Sequence, residues 1–370
     1  MNLLKQKKGN DSNNITIGGE IEFLILDEDY SEVNESKKVL QHARNRGIEV
    51  SEECSQSMIE LHTPPVDAEN IESILKKSTR ELYKVGREIG YKVLPFPIVL
   101  NQNFMSQMTQ KEKYRAKRQV LGDKRFKVCK KISGIHFHFD MREKQEDVRK
   151  QINMLNLLDP LIIALSSASK KQFRNHSIHN TRLKRYRYVA YEKYPFQGNV
   201  QGVFQTYEEY EKTLNLNYEK FIHRNKQMGI NFSGYCDKYD AIWGPVRINK
   251  SLETVELRTF DSNPDITFVA KLAKLVKDSL DKAVNDESII QRCVDKATSL
   301  RDNQPKRALQ ELSREAIIQG FDSEAVEEYS RYILRKVDSS EEILDQDRDQ
   351  RLTSYEEAEK IFLHSIGERA

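Results

Sequence analysis

The sequence has no CxxC pair, and its 370 residues hold only four cysteines, at positions 54, 129, 236 and 293. That spacing excludes a zinc ribbon and offers no disulfide framework, so free thiols in a reducing, cytoplasmic setting are expected. Long apolar runs are missing too. The longest, at 157–165, contains Asp159 and Pro160 and is too short to cross a bilayer. The polar, basic residues 1–14 lack the apolar centre of a signal peptide. Neither sign of charge dominates: 60 Lys and Arg against 57 Asp and Glu leave +3, which gives no ground for a nucleic-acid or membrane partner. No repeat or low-complexity segment is evident. What remains is a folding chain, 38% hydrophobic, long enough for one large or two modest domains.

Its clearest signal is alternation. In Gly18-Gly19-Glu20-Ile21-Glu22-Phe23-Leu24-Ile25-Leu26 a strand would put Glu20 and Glu22 on one face and Ile21, Phe23 and Ile25 on the other. Two carboxylates side by side suit a hard divalent cation, although an amphipathic strand with its acidic face in water reads the same way. Residues 56–63 alternate again, with Met58, Glu60 and His62 together before Pro64-Pro65 ends the run. In residues 132–141, Ile135, Phe137 and Phe139 oppose His136, His138 and Asp140. Imidazole is a common metal donor, and structural histidines are the rival reading. A hairpin at 246–261 sets Glu256 and Arg258 opposite Val255 and Leu257.

Helical spacing marks residues 36–45, a segment after Asp67 that runs to Gly90, and 148–158 with the apolar continuation to Ser169. It also marks a segment opened by the Thr206/Glu209 capping box, one after Asp265, and amphipathic stretches near 305–320 and 323–337. Two basic clusters stand out. Residues 111–131 carry ten Lys or Arg and read as a solvated helix face or mobile loop, with a polyanion surface as the alternative. Residues 180–188 read equally as a surface loop or as an arginine site for phosphate or carboxylate.

Taken together and in order, several segments resemble the glutamate-cysteine ligase type 2 family, carboxylate-amine ligases of the glutamine synthetase superfamily. They are Gly19-Glu20-Ile21-Glu22-Phe23, Ser57-Met58-Ile59-Glu60-Leu61, Ser133-Gly134-Ile135-His136-Phe137-His138, Ala164-Leu165-Ser166-Ser167-Ala168-Ser169, and Trp243 through Arg247 to Glu256, Arg258 and Asp261. The similarity runs over about residues 15–280. It implies an α+β fold: a curved antiparallel β-sheet with an active concave face and helices packed on the other face, as in a glutamine synthetase-like catalytic domain. A catalytic domain at 15–285 and a C-terminal helical region at 286–370 packed on it are expected.

The resemblance further implies ATP and Mg2+, with Mn2+ as a substitute because histidine is an unusual magnesium ligand. Glu20, His136 and Glu256 would hold one metal, and Glu22 and Glu60 another, with Glu53 a weaker candidate. Arg258 would meet the transferring phosphate and bind nucleotide. Arg182 and Arg247 would take phosphate or a substrate carboxylate, and His138 would position water or nucleotide. The partners would be a small amino acid or other carboxylate and an amine; a homo-oligomer is left open. The stretch 174–182 departs from the family's pattern beside the substrate pocket, which puts the acceptor in question. Two other readings stand beside this one: a guanidino-type kinase of the same superfamily, and a non-catalytic metal- or polyanion-binding protein.

Overall fold

The structure, a computed structural model, describes residues 15–172, 177–230, 237–344 and 352–368. Nine strands are described: β1 Ile17–Leu26, β2 Val50–Glu52, β3 Met58–His62, β4 Lys92–Leu94, β5 Gly134–Asp140, β6 Lys171–Gln172, β7 Ser177–Ile178, β8 Val246–Asn249 and β9 Thr254–Asp261. All but the β6-β7 ribbon form one open antiparallel sheet in the order β2-β3-β1-β5-β9-β8, with β4 also on β1. Helices α1 Ser36–Asn45, α2 Ile71–Glu88, α3 Glu112–Leu121, α4 Asp123–Cys129, α5 Gln145–Ser166, α6 Thr181–Arg185 and α7 Tyr207–Gln227 follow in chain order. They continue with α8 Lys238–Ala241, α9 Ile266–Asn285, α10 Ser288–Leu300, α11 Pro305–Gln319, α12 Glu324–Lys336 and α13 Tyr355–Ile366.

The expected alternation places the core. Ile21, Phe23, Ile25, Ile135, Phe137, Phe139, Val255 and Leu257 are all buried, and α5, α9 and α2 pack over that side. Phe137 and Phe260 meet edge to face at 5.0 Å. Removing one such ring would cost ~3–5 kcal/mol, because the surrounding packing cannot collapse into the space. Helix α5 runs unbroken through Pro160. Its Asp159 is buried and held by Arg187, Thr259 and Ser313, which ties β9, α11 and the segment after α6 to one carboxylate. That is a structural use for Arg187, and it corrects the surface-loop reading of the 180–188 cluster.

The run at 111–131 takes the helical one of its expected forms rather than the loop: it folds as α3 and α4, with Tyr114, Ala116, Val120, Leu121, Phe126 and Cys129 buried and its Lys and Arg exposed or half-buried. Among the carboxy-terminal helices, α11 packs on α5 and α13 on α2 and α9. Cys54, Cys129 and Cys293 are buried free thiols; Cys236 and residues 174–176 lie outside the described residues. Among the described residues, no helix is long and apolar enough to cross a membrane.

Candidate active site

Antiparallel register brings the polar face together. Glu20 sits opposite His62 on β3 and opposite His136 on β5; Glu22 sits opposite Glu60. His138 is opposite Glu256, and Glu256 is opposite Arg247. A register shift in the β5-β9 ladder sets His136 against two β9 residues, Arg258 and Thr259, so the extra residue is on β9. Such a bulge re-aims the side chains of the strand that carries it, here Arg258 on β9. His136 Nδ1 lies 3.3 Å from a Glu20 oxygen and 3.6 Å from Glu256. His138 takes Thr254 Oγ1 at 2.9 Å through Nδ1, so its Nε2 faces Glu20 at 3.4 Å.

Glu256 is fully buried between two arginines. Arg247 Nε donates to it at 2.7 Å; Arg258 Nε stands 3.0 Å from its other oxygen but without hydrogen-bond alignment. Burial alone would raise this carboxyl, but Arg247, Arg258, His138 and His136 outweigh it and bring it down to about 2. Glu20 behaves likewise: burial opposes ionisation, yet His138, His136 and His62 hold it well below the usual carboxylate value. Glu22 and Glu60 go the other way. Burial, with the neighbouring charge of Glu53 and Glu60, pushes Glu22 well up, and burial with Glu20 and Glu53 pushes Glu60 up to about 7. Mutually repelling carboxylates in a shielded site are relieved by a cation.

The donor set fits a divalent metal. Three groups have all their donor atoms within 4.8 Å: Glu20, Glu60 and His62; Glu20, His138 and Glu256; and Glu22, Glu60 and His136. His62 Nδ1, His138 Nε2 and Glu256 Oε1 are buried and lack hydrogen-bond partners. Carboxylate oxygens suit Mg2+, and the imidazoles extend the set to Mn2+.

Arg182, on α6, lies against the back of this site. Its guanidinium donates to the carbonyls of Thr259 and Arg258 at 3.2 and 3.4 Å and stands 3.7 Å from Asp261. Gly134 makes that position available, because a Cβ there would fall 1.9 Å from Arg182 Nη2. The Gly134 amide in turn donates to Glu22 at 2.6 Å. Asp261 binds the Ala168 amide and Ser169 hydroxyl, which fixes the loop after α5 beside α6.

A cavity of about 520 Å³ opens over these groups; Glu20, Glu22, Glu60, His136, Arg182, Arg247 and Arg258 all line it. Every site candidate named from the sequence thus falls on or around one face of one sheet, although His138 and Glu256 lie beneath the lining. Three contributors went unassigned. His62 shares its strand face with Glu60, which was the available signal. Lys113 and Lys117 also line the cavity, and nothing local in the basic run separates Lys117 from the solvated lysines around it.

The fold is shared with a solved structure: the chain superposes on a bifunctional glutathione synthetase from Pasteurella multocida with TM-score 0.60 at 14% identity. The match covers 96% of this chain and 50% of that one. Residues 16–367 match the model of glutamate-cysteine ligase family 2, and the chain belongs to that family. Two curated relatives are "Putative glutamate--cysteine ligase 2-1" of Rubrobacter xylanophilus and "Putative glutamate--cysteine ligase 2-3" of Frankia alni. The first is 25% identical over 288 residues, 74% of this chain and 68% of the relative. The second is 24% identical over 288 residues, 75% of this chain and only 30% of the relative.

Proposed function

We propose that the protein is an ATP- and divalent-metal-dependent ligase that joins a small carboxylic acid, the γ-carboxylate of glutamate by family default, to an amine. The observation that carries this reading is the buried Glu256, flanked by Arg247 and Arg258 and sharing a donor set with Glu20 and His138. Carboxylates able to hold cations beside arginines are what phosphoryl transfer from a triphosphate needs. When bound, divalent cations neutralise the triphosphate and orient its terminal phosphoryl group.

In this reading Glu20, His138 and Glu256 would hold one cation, and Glu22, Glu60 and His136 would hold a second. Arg258 faces the phosphoryl group as it moves to the acid's carboxylate oxygen. Arg247 keeps Glu256 ionised and in place. Arg182 supports the floor of the site and offers positive charge to substrate carboxylate. The amine then attacks the acyl carbon, the acyl-oxygen bond to phosphate breaks, and an amine proton is lost; the products are amide, ADP and phosphate. We assign the chemistry to residues 15–285 and read 286–370 as a helical region packed on them. Phosphate release from Mg-ATP should require both an acid and an amine, and should fall at least about a hundredfold in Glu256→Gln. Release that ignores the amine would reject the ligase reading.

A further inference from the structure

The carboxylates that line the cavity divide into two groups. Glu20, Glu22 and Glu60 belong to the cation donor sets, and Glu53 stands beside them, where its charge raises Glu22 and Glu60. Both Glu53 oxygens are taken, one by the Tyr114 hydroxyl at 3.1 Å and the other by the Cys54 amide at 3.0 Å. Asp240 is the exception. It lines the same cavity from α8 and belongs to none of the donor sets. The Asp237 carboxylate caps that turn by accepting the Tyr239 and Asp240 amides. Asp240 Oδ1 accepts from Arg247 Nη1 at 2.8 Å, and among the described residues nothing hydrogen-bonds its Oδ2.

Arg247 also fixes where Asp240 stands. The guanidinium that meets Asp240 through Nη1 donates to Glu256 through Nε at 2.7 Å. Asp240 is therefore one guanidinium away from Glu256, whose other oxygen Arg258 touches at 3.0 Å. As a prop for Arg247 it adds little: its side chain is 63% exposed, exposed ion pairs are weak, and the fully buried Glu256 already holds the arginine. Elsewhere an ammonium group would meet like charge from Lys113, Lys117, Arg182, Arg247 and Arg258, or carboxylates whose charge bound cations neutralise.

We propose that Asp240 receives the ammonium group of the acceptor, so that the enzyme selects an amine that is cationic at neutral pH. This rests on the ligase reading above and specifies its amine. The ammonium donates a charge-assisted hydrogen bond to Oδ2. It loses one proton to solvent, which frees the lone pair that attacks the acyl carbon, and a second as the amide forms and phosphate leaves.

The test compares two kinds of nucleophile in the full chain with saturating Mg-ATP and glutamate, read as phosphate release. One kind is a cationic amine, tried as ammonium, ethylamine and L-cysteine; the other is hydroxylamine, which is uncharged at neutral pH. The ratio of kcat/KM for the cationic amine that the parent uses best to kcat/KM for hydroxylamine should fall about tenfold or more in Asp240→Asn, chiefly through KM. The ratio separates binding from support, because a residue that only propped Arg247 would cost both nucleophiles equally. An unchanged ratio would overturn the proposal, whether both rates fall together or neither falls. So would a parent that uses hydroxylamine but no cationic amine. A parent that releases no phosphate with any of these nucleophiles would instead remove the ligase reading, and this assignment with it.

Discussion

Replacing Gly134 with alanine should damage the site from behind. Gly134 is not among the glycines with positive φ, so the demand is for space rather than for backbone freedom. The new Cβ would stand 1.9 Å from Arg182 Nη2, 2.5 Å from Cζ and 2.8 Å from Nε. One partner has to move. Gly134 is pinned by the hydrogen bond its amide donates to the Glu22 carboxylate, by its pairing with Asp261, and by its neighbour Ser133, whose carbonyl accepts from the Ser262 amide. Arg182 therefore gives way, losing the Thr259 and Arg258 carbonyls and leaving buried Asp261 without a cation. Overpacking alone costs ~1–3 kcal/mol, and stripping a buried ion of its partner ~3–5 kcal/mol. Because the Arg182-Asp261 contact is loose at 3.7 Å, the expected loss is about 3 kcal/mol, read as a lower urea midpoint at unchanged slope. Turnover should fall with it. Adding Arg182→Met should make the pair less than additive by at least ~1 kcal/mol, since the clash has already been removed. A Gly134→Ala protein within ~0.5 kcal/mol of the parent and equally active would refute the reasoning.

Other expectations follow from the same contacts. Burial would raise the Glu359 carboxyl on α13, but hydrogen bonds from Tyr30, Tyr83 and Lys92 hold it below its ordinary 4.5. Its contribution to stability is therefore present above that value and disappears as pH falls through the depressed folded one. Glu359→Gln should cost ~1.5–3 kcal/mol at neutral pH, and urea titrations should show the gap closing on acidification; a gap independent of pH would count against this. Arg187→Met should lower stability by ~3–5 kcal/mol in denaturant unfolding, because Asp159 would keep two hydroxyls and no cation. Mg2+ or Mn2+ at a hundredfold excess over its dissociation constant should stabilise the parent by about 2.7 kcal/mol. Thermal unfolding of Glu20→Gln should show most of that gain removed, and an equal gain in both proteins would place the metal elsewhere.

How much of this could be read from the chain depended on period. Strands with one face in the core write their register into the sequence, so Glu20, Glu22, Glu60, His136, His138 and Glu256 could be put on one face before any contact was known. The helix ends were equally plain where a cap marks them: Thr206 accepts from the Glu209 amide, and Asp265 from that of Phe268. The three-residue strand β2 carries too few positions for a period and went unseen. Lys117 and Arg187 were hidden for a different reason. Each sits in a run of like charge, and what separates it from its solvated neighbours is a partner far away in sequence, Tyr186 for one and Asp159 for the other. The β9 bulge opposite His136 is likewise a property of two strands rather than one.

The central claim is that a carboxylate oxygen of the acid accepts the phosphoryl group and leaves with it. Supplying glutamate with heavy oxygen in its γ-carboxylate, together with Mg-ATP and an amine that supports turnover, tests this in one measurement. Mass spectrometry should find one heavy oxygen in each phosphate released and one lost from the amide. Unlabelled phosphate would mean that water, not the acid, takes the phosphoryl group, and a stable phosphorylated product with no free phosphate would make the protein a kinase.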